Sequence, residues 1–82
     1  MIPRIRSLQP GENYTLKVVF DDGKKVEYDV KEDIREIPSF SVLVDVTGLF
    51  QQVQLDMSRT CVYWNEDVDL ASDTIYEYGK TV

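Results

Sequence analysis

The sequence predicts an α+β fold: a small, mainly antiparallel sheet of about five strands, two hairpins plus an amino-terminal edge strand, with one or two short helices. Two observations carry this expectation. Apolar residues recur at every second position in two pairs of segments, and the polar stretches between them hold cap and stop signals for short helices only. The 82 residues form a single domain, 1–82. A chain of this size hides only ~60–65% of its unfolded surface, so its core is thin.

Ile2 to Leu8 predicts the edge strand, since Pro3 belongs at a strand start or an edge. Arg4 and Arg6 alternate with Ile5 and guard that edge. Gln9 to Asn13 contains Pro-Gly and predicts a turn.

The first hairpin runs from Tyr14 to Val30. A two-residue Asp22-Gly23 turn would set Val18 against Glu27 and Phe20 against Lys25. A three-residue loop, Asp21-Asp22-Gly23, sets Val18 opposite Val26, Leu16 opposite Tyr28 and Tyr14 opposite Val30. It also sets Lys17 opposite Glu27, a favourable cross-strand pair. A one-residue slip would turn the apolar set outward, so the three-residue loop is selected. Gly23 supplies the positive φ that this turn requires.

Lys31 to Pro38 is polar and charged, with Pro38 marking a break or a helix start. Ser39 is the N-cap candidate for a short helix carrying Phe40, Leu43 and Val44 on one face and ending near Thr47-Gly48. The valines of this stretch pull toward strand. Leu49 to Trp64 predicts the second hairpin. A turn near Ser58-Arg59 would set Leu55 opposite Val62 and Val53 opposite Trp64, and no glycine fixes it. The tail begins acidic. Ser72 is a cap candidate, Asp73 sits in the first turn of a short helix, and Gly79 stops it.

Composition excludes several functions. Net charge is −6, from 15 acidic and 9 basic residues, which disfavours a direct nucleic-acid role that depends on phosphate neutralisation. The longest apolar runs fall far short of a membrane span, and MIPRIRSLQP lacks the apolar core of a signal peptide. The expectation is a cytoplasmic protein. Histidine is absent, removing the commonest general base and metal ligand. Cys61 is the only cysteine, so there is no internal disulfide or zinc cluster, and it reads as a packed side chain.

The densest acidic group is Glu66, Asp67, Asp69 and Asp73. Carboxylates two apart suit a hard cation, but the calcium-loop template fails. Counting from Asp67, Ala71 takes a ligand position, Ser72 the glycine position and Tyr78 the closing glutamate position. A turn leading into a helix explains these aspartates better. Asp21 and Asp22 read as turn formers, and Glu32, Asp33 and Glu36 form a solvated run with Lys31 and Arg35. No phosphate loop, nucleophile elbow or metal-ligand spacing occurs, so no catalytic, cofactor or metal residues are assigned. Most aromatics read as packing, with Trp64 and the tail tyrosines as candidates for a partner surface.

The landmarks also form an ordered set: Phe20-Asp21-Asp22-Gly23, Phe40 to Leu43, Phe50 leading into Val53-Gln54-Leu55-Asp56, Trp64-Asn65, Asp69-Leu70 and Asp73-Thr74-Ile75-Tyr76. Over nearly the whole chain this set resembles the small, mostly bacterial proteins of domain-of-unknown-function family 2442. The resemblance implies an α+β domain with no established enzymatic activity. It further implies a neighbourhood of toxin–antitoxin type, since some relatives precede a helix-turn-helix domain or are encoded beside another small protein. Two features depart from the family pattern. Asn65 directly follows Trp64 where a proline often intervenes, and no glycine precedes Asp67. The chain also ends at Val82, which leaves no room for a DNA-binding domain.

Together these observations lead to a non-enzymatic domain that binds a protein, either a small basic partner or its own copy, with Trp64, Asp67, Asp69, Asp73 and Tyr76 as the candidate surface. A small-ligand or divalent-cation site in the tail, or a carboxylate hydrolase, is the alternative.

Overall fold

The computed structural model describes residues 2–82. The first hairpin joins β2 (Thr15–Phe20) to β3 (Lys25–Asp29), with Leu16 opposite Tyr28, Lys17 opposite Glu27 and Val18 opposite Val26. This is the register that alternation requires. The Phe20 amide donates to the Lys24 carbonyl at 2.9 Å, closing the three-residue loop, and Gly23 sits at φ +92°. Leu16, Val18, Phe20, Val26 and Val30 are fully buried. Burial of each such side chain contributes roughly 1.5–3 kcal/mol.

The expected single sheet of about five strands is instead two antiparallel sheets. In the first, the order is β1 (Ile5–Pro10), β2, β3, β7 (Lys80–Thr81). In the second it is β4 (Gln54–Leu55), β5 (Cys61–Asn65), β6 (Val68–Ala71). β6 and β7 were not foreseen. In β6 the alternation of buried Val68 and Leu70 with exposed Asp69 and Ala71 is hidden inside an acidic run. β7 has two residues, too few to show a period.

β1 is an edge strand as expected, but it spans Ile5–Pro10 rather than Ile2 to Leu8. Pro10 lies within the ladder, opposite Leu16, because Gly11 makes the adjoining bond to the Thr15 carbonyl and the missing proline N–H faces outward. The ladder is irregular between Ile5 and Ser7, where Arg6 is the extra residue.

The second hairpin sets Leu55 opposite Val62 and Gln54 opposite Tyr63, again the expected register. Its turn has no glycine, and Arg59 takes the positive φ, +61°. The Asp56 carboxylate holds the turn. It accepts from the Thr60 and Cys61 amides at 3.2 Å each and from the Ser58 hydroxyl at 2.8 Å.

Lys31 to Glu36, expected only as a charged stretch, forms helix α1, its first amide bonded to the Asp29 carboxylate at 2.9 Å. A 3₁₀ turn at Pro38–Ser41 runs into α2 (Val42–Asp45), so helix prevails over the β-preference of the valines. Phe40 and Leu43 are buried, whereas Val44 is exposed and Ser39 makes no side-chain cap, both contrary to expectation. Packing of Phe40, Val42 and Leu43 against the core orients this short segment. The helix ends at Val46, which is extended at φ −102°, and Gly48, at φ +83°, lies in the turn that follows. A second 3₁₀ turn, Phe50–Gln52, leads to β4.

Both sheets and helix α3 (Ser72–Tyr78) share one core, in which Ile75 is fully buried. Ser72 is the first residue of α3 rather than its cap, and its buried hydroxyl donates to the Pro3 carbonyl at 2.6 Å. That bond ties the amino-terminal stretch to the helix. Gly79 stops the helix at an ordinary φ of −74°. Space, not backbone freedom, explains it: a Cβ there would collide with the Val26 side chain and lie 2.6 Å from the Ile75 carbonyl.

A candidate partner-binding groove

An open groove of about 1250 Å³ lies between the tip of the first hairpin, the stretch Ile2 to Arg4 and α3. Its apolar part is Ile2, Pro3 and two aromatic residues, the fully buried Phe20 and the partly exposed Tyr76. Their rings meet edge to face, 4.8 Å between centroids. Phe20 reaches this place because it is the last inward residue of β2, and Tyr76 because it follows the buried Ile75 on α3.

Side-chain bonds cross-link the walls. The Tyr76 hydroxyl donates to Asp22 Oδ2 at 2.6 Å. Lys24 Nζ donates to the Tyr76 carbonyl at 3.0 Å and lies 4.0 Å from the centre of its ring. Cationic charge at that end of a helix is favourable. Arg59, reaching over from the second hairpin, binds both carboxylate oxygens of Asp21 at 2.8 and 3.0 Å and the Ile5 carbonyl at 3.2 Å.

These bonds set the ionisation of the rim. The Arg59 hydrogen bond holds Asp21 below the usual carboxylate range, and the bonds from Tyr76 and Lys24 do the same for Asp22. Ser58 and the turn amides lower Asp56. A hydrolytic general acid needs a carboxyl displaced upward, so none of these three suits that one role. Burial, followed by the charges of Asp69 and Asp56, raises the Cys61 thiol, the opposite of activation.

The five candidate residues do not form one surface. Asp73 and Tyr76 line the groove. Asp67 lies in the β5–β6 turn, where its amide binds Asn65 Oδ1 at 2.8 Å, and Asp69 projects from β6 opposite Tyr63. Neither lines the groove. Trp64 is 8% exposed and therefore belongs to the core rather than to a partner surface. It stacks on Phe50 at 5.6 Å, meets Phe40 edge on, and donates its indole N–H to the Phe50 carbonyl at 3.0 Å.

Among the described residues, no group of three His, Cys, Asp or Glu side chains converges as a metal site would require. Among the groove residues missed from the sequence are Phe20, Asp22, Lys24 and Glu77. Glu77 carried a signal, since it follows Asp73 by one helical turn and shares its face. The others could be found only by knowing that the hairpin tip folds beside α3.

No helix among the described residues is long and apolar enough to cross a membrane. A family model described as "Protein of unknown function (DUF2442)" matches residues 5–81, nearly the whole chain, and the chain belongs to that family. Comparisons with curated proteins and with solved structures returned no match.

Proposed function

We propose that this family member is a non-enzymatic protein-binding domain of the cytoplasm, the acidic partner of a small basic protein in an antitoxin-like pair. The observation that supports this is the groove beside α3. It is open, lined by Ile2, Pro3 and Tyr76 over the buried Phe20, and rimmed by Asp21, Asp22, Asp73 and Glu77 against Arg4 and Lys24. Its walls are braced by the bonds of Tyr76 and Arg59, so little ordering entropy is lost on docking. The net charge of −6 steers a basic partner toward such a surface and is screened by salt.

The test is co-purification of the tagged full chain from its source cell at low and high salt, with mass spectrometry of what elutes. One stoichiometric small basic protein, released by salt and lost from the Asp73→Asn/Glu77→Gln variant, is the expected result. Recovery of the bare chain alone would overturn the stable-partner reading.

A further inference from the structure

We infer that the groove receives a short partner segment that places a lysine or arginine beside the α3 carboxylates Asp73 and Glu77 and an adjacent apolar side chain on Ile2 and Tyr76. The inference deepens the proposed function and rests on it. Its basis is the charge accounting of the rim. Asp21 is neutralised by Arg59 at 2.8 Å, and Asp22 accepts from Tyr76 at 2.6 Å and from the Lys24 amide at 2.9 Å. Lys24 spends its ammonium on the Tyr76 carbonyl and ring.

Asp73 and Glu77 stand apart from this network. Neither has a basic side chain within ion-pair distance among the described residues, and the one side-chain bond of Asp73 is to the neighbouring Thr74 amide at 2.9 Å. They are four residues apart on a helix, so their side chains share a face and repel. A cation supplied from outside removes that repulsion.

Apolar contact in the groove acts independently of charge. Ile2, 59% exposed, and the partly exposed Tyr76 both line the groove, and the fully buried Phe20 packs edge to face against the Tyr76 ring, so an aliphatic or aromatic side chain entering there meets apolar surface from two segments. Acidic residues on α1 offer charge without such a floor: the helix has no buried residue, and Glu32 and Glu36 are exposed. The groove differs by joining the two features within one helical turn.

The experiment is titration of the ¹⁵N-labelled full chain with three blocked synthetic peptides, followed by NMR. The first alternates lysine with leucine, the second replaces leucine by serine, and the third replaces lysine by glutamate. Shifts from the first peptide confined to the amides around Phe20, Asp73, Tyr76 and Glu77 support the inference. So do weaker binding of both other peptides and a loss of about tenfold in affinity for Asp73→Asn/Glu77→Gln, with no loss for Glu32→Gln/Glu36→Gln.

Equal binding by the lysine–serine peptide, shifts spread over α1, or unchanged affinity in the groove variant would overturn it. The Tyr76→Phe variant, which keeps the ring, guards against misreading a folding defect and retains the preference for the leucine peptide. A co-purified partner that cross-links to β6 and leaves the groove free would sink this inference while sparing the partner-binding reading.

Discussion

The two hairpins reach their registers by different physical means. The first turns on Gly23, whose backbone adopts φ +92° with no heavy atom within 4 Å of where a Cβ would stand. The second has no glycine. It turns on the Asp56 carboxylate, which gathers two amides and a hydroxyl while Arg59 takes the left-handed position at φ +61°. One turn is held chiefly by backbone freedom and the other chiefly by a charged side chain. The second should be the more sensitive to acid, because one carboxylate bond, from the Lys24 amide to Asp22 at 2.9 Å, closes the first turn whereas three converge on Asp56.

The largest effect expected lies behind the second hairpin. Trp64→Ala removes the ring stacked on Phe50 and leaves the Phe50 carbonyl without its donor, costing about 3–5 kcal/mol in urea unfolding followed by far-UV circular dichroism. A cost under 1 kcal/mol would show that the second sheet does not depend on this residue. Next is Asp56→Ala, which should lower Tm more than Gly23→Ala does and selectively remove hydrogen-exchange protection around Cys61 and Val62. Equal loss in both hairpins would erase the distinction drawn between them.

Gly23→Ala meets no steric obstacle, so its cost is conformational, about 1–2 kcal/mol, with the Val18–Val26 register retained. Acid titration sharpens the contrast further. Asp21, Asp22 and Asp56 have folded pKa values below the ordinary carboxylate value of 3.8. Their stabilisation is therefore complete above that value and is lost as pH falls through the lowered folded values. The Thr60 and Cys61 amides should lose protection before those of Val18 and Val26, as followed by NMR. The smallest effect is that of Arg59→Lys. It gives up the two-pronged bond to Asp21 but keeps the charge, and it should shift Tm least of the set.

The same contrast explains what could be read from the residues. The first hairpin was legible to the exact pair because Val18, Val26, Leu16 and Tyr28 leave one register that hides them all. Leu55 opposite Val62 was legible for the same reason, though the device holding it was not, since Asp56 acts through amides several positions on. The division into two sheets was not legible, because β6 lies in an acidic run and β7 pairs with β3 across more than fifty residues. Of the residues named for a partner surface, Asp73 and Tyr76 lie at the groove beside α3. Trp64 was misplaced because an aromatic suited to an interface is equally suited to a core, and only its neighbours Phe40 and Phe50 decide between them.

The short strand β7 has a consequence for how the molecule behaves among its own copies. Lys80 and Thr81 pair with Glu27 and Val26, and the Val82 amide binds the Lys25 carbonyl at 3.0 Å. Three residues thus shield the outer edge of β3 from pairing with another chain, and the bare Gly79 lets them approach. Cutting the chain after Gly79 would leave the core side chains in place but open a templating edge. The penalty would appear not as unfolding but as turbidity that grows with protein concentration.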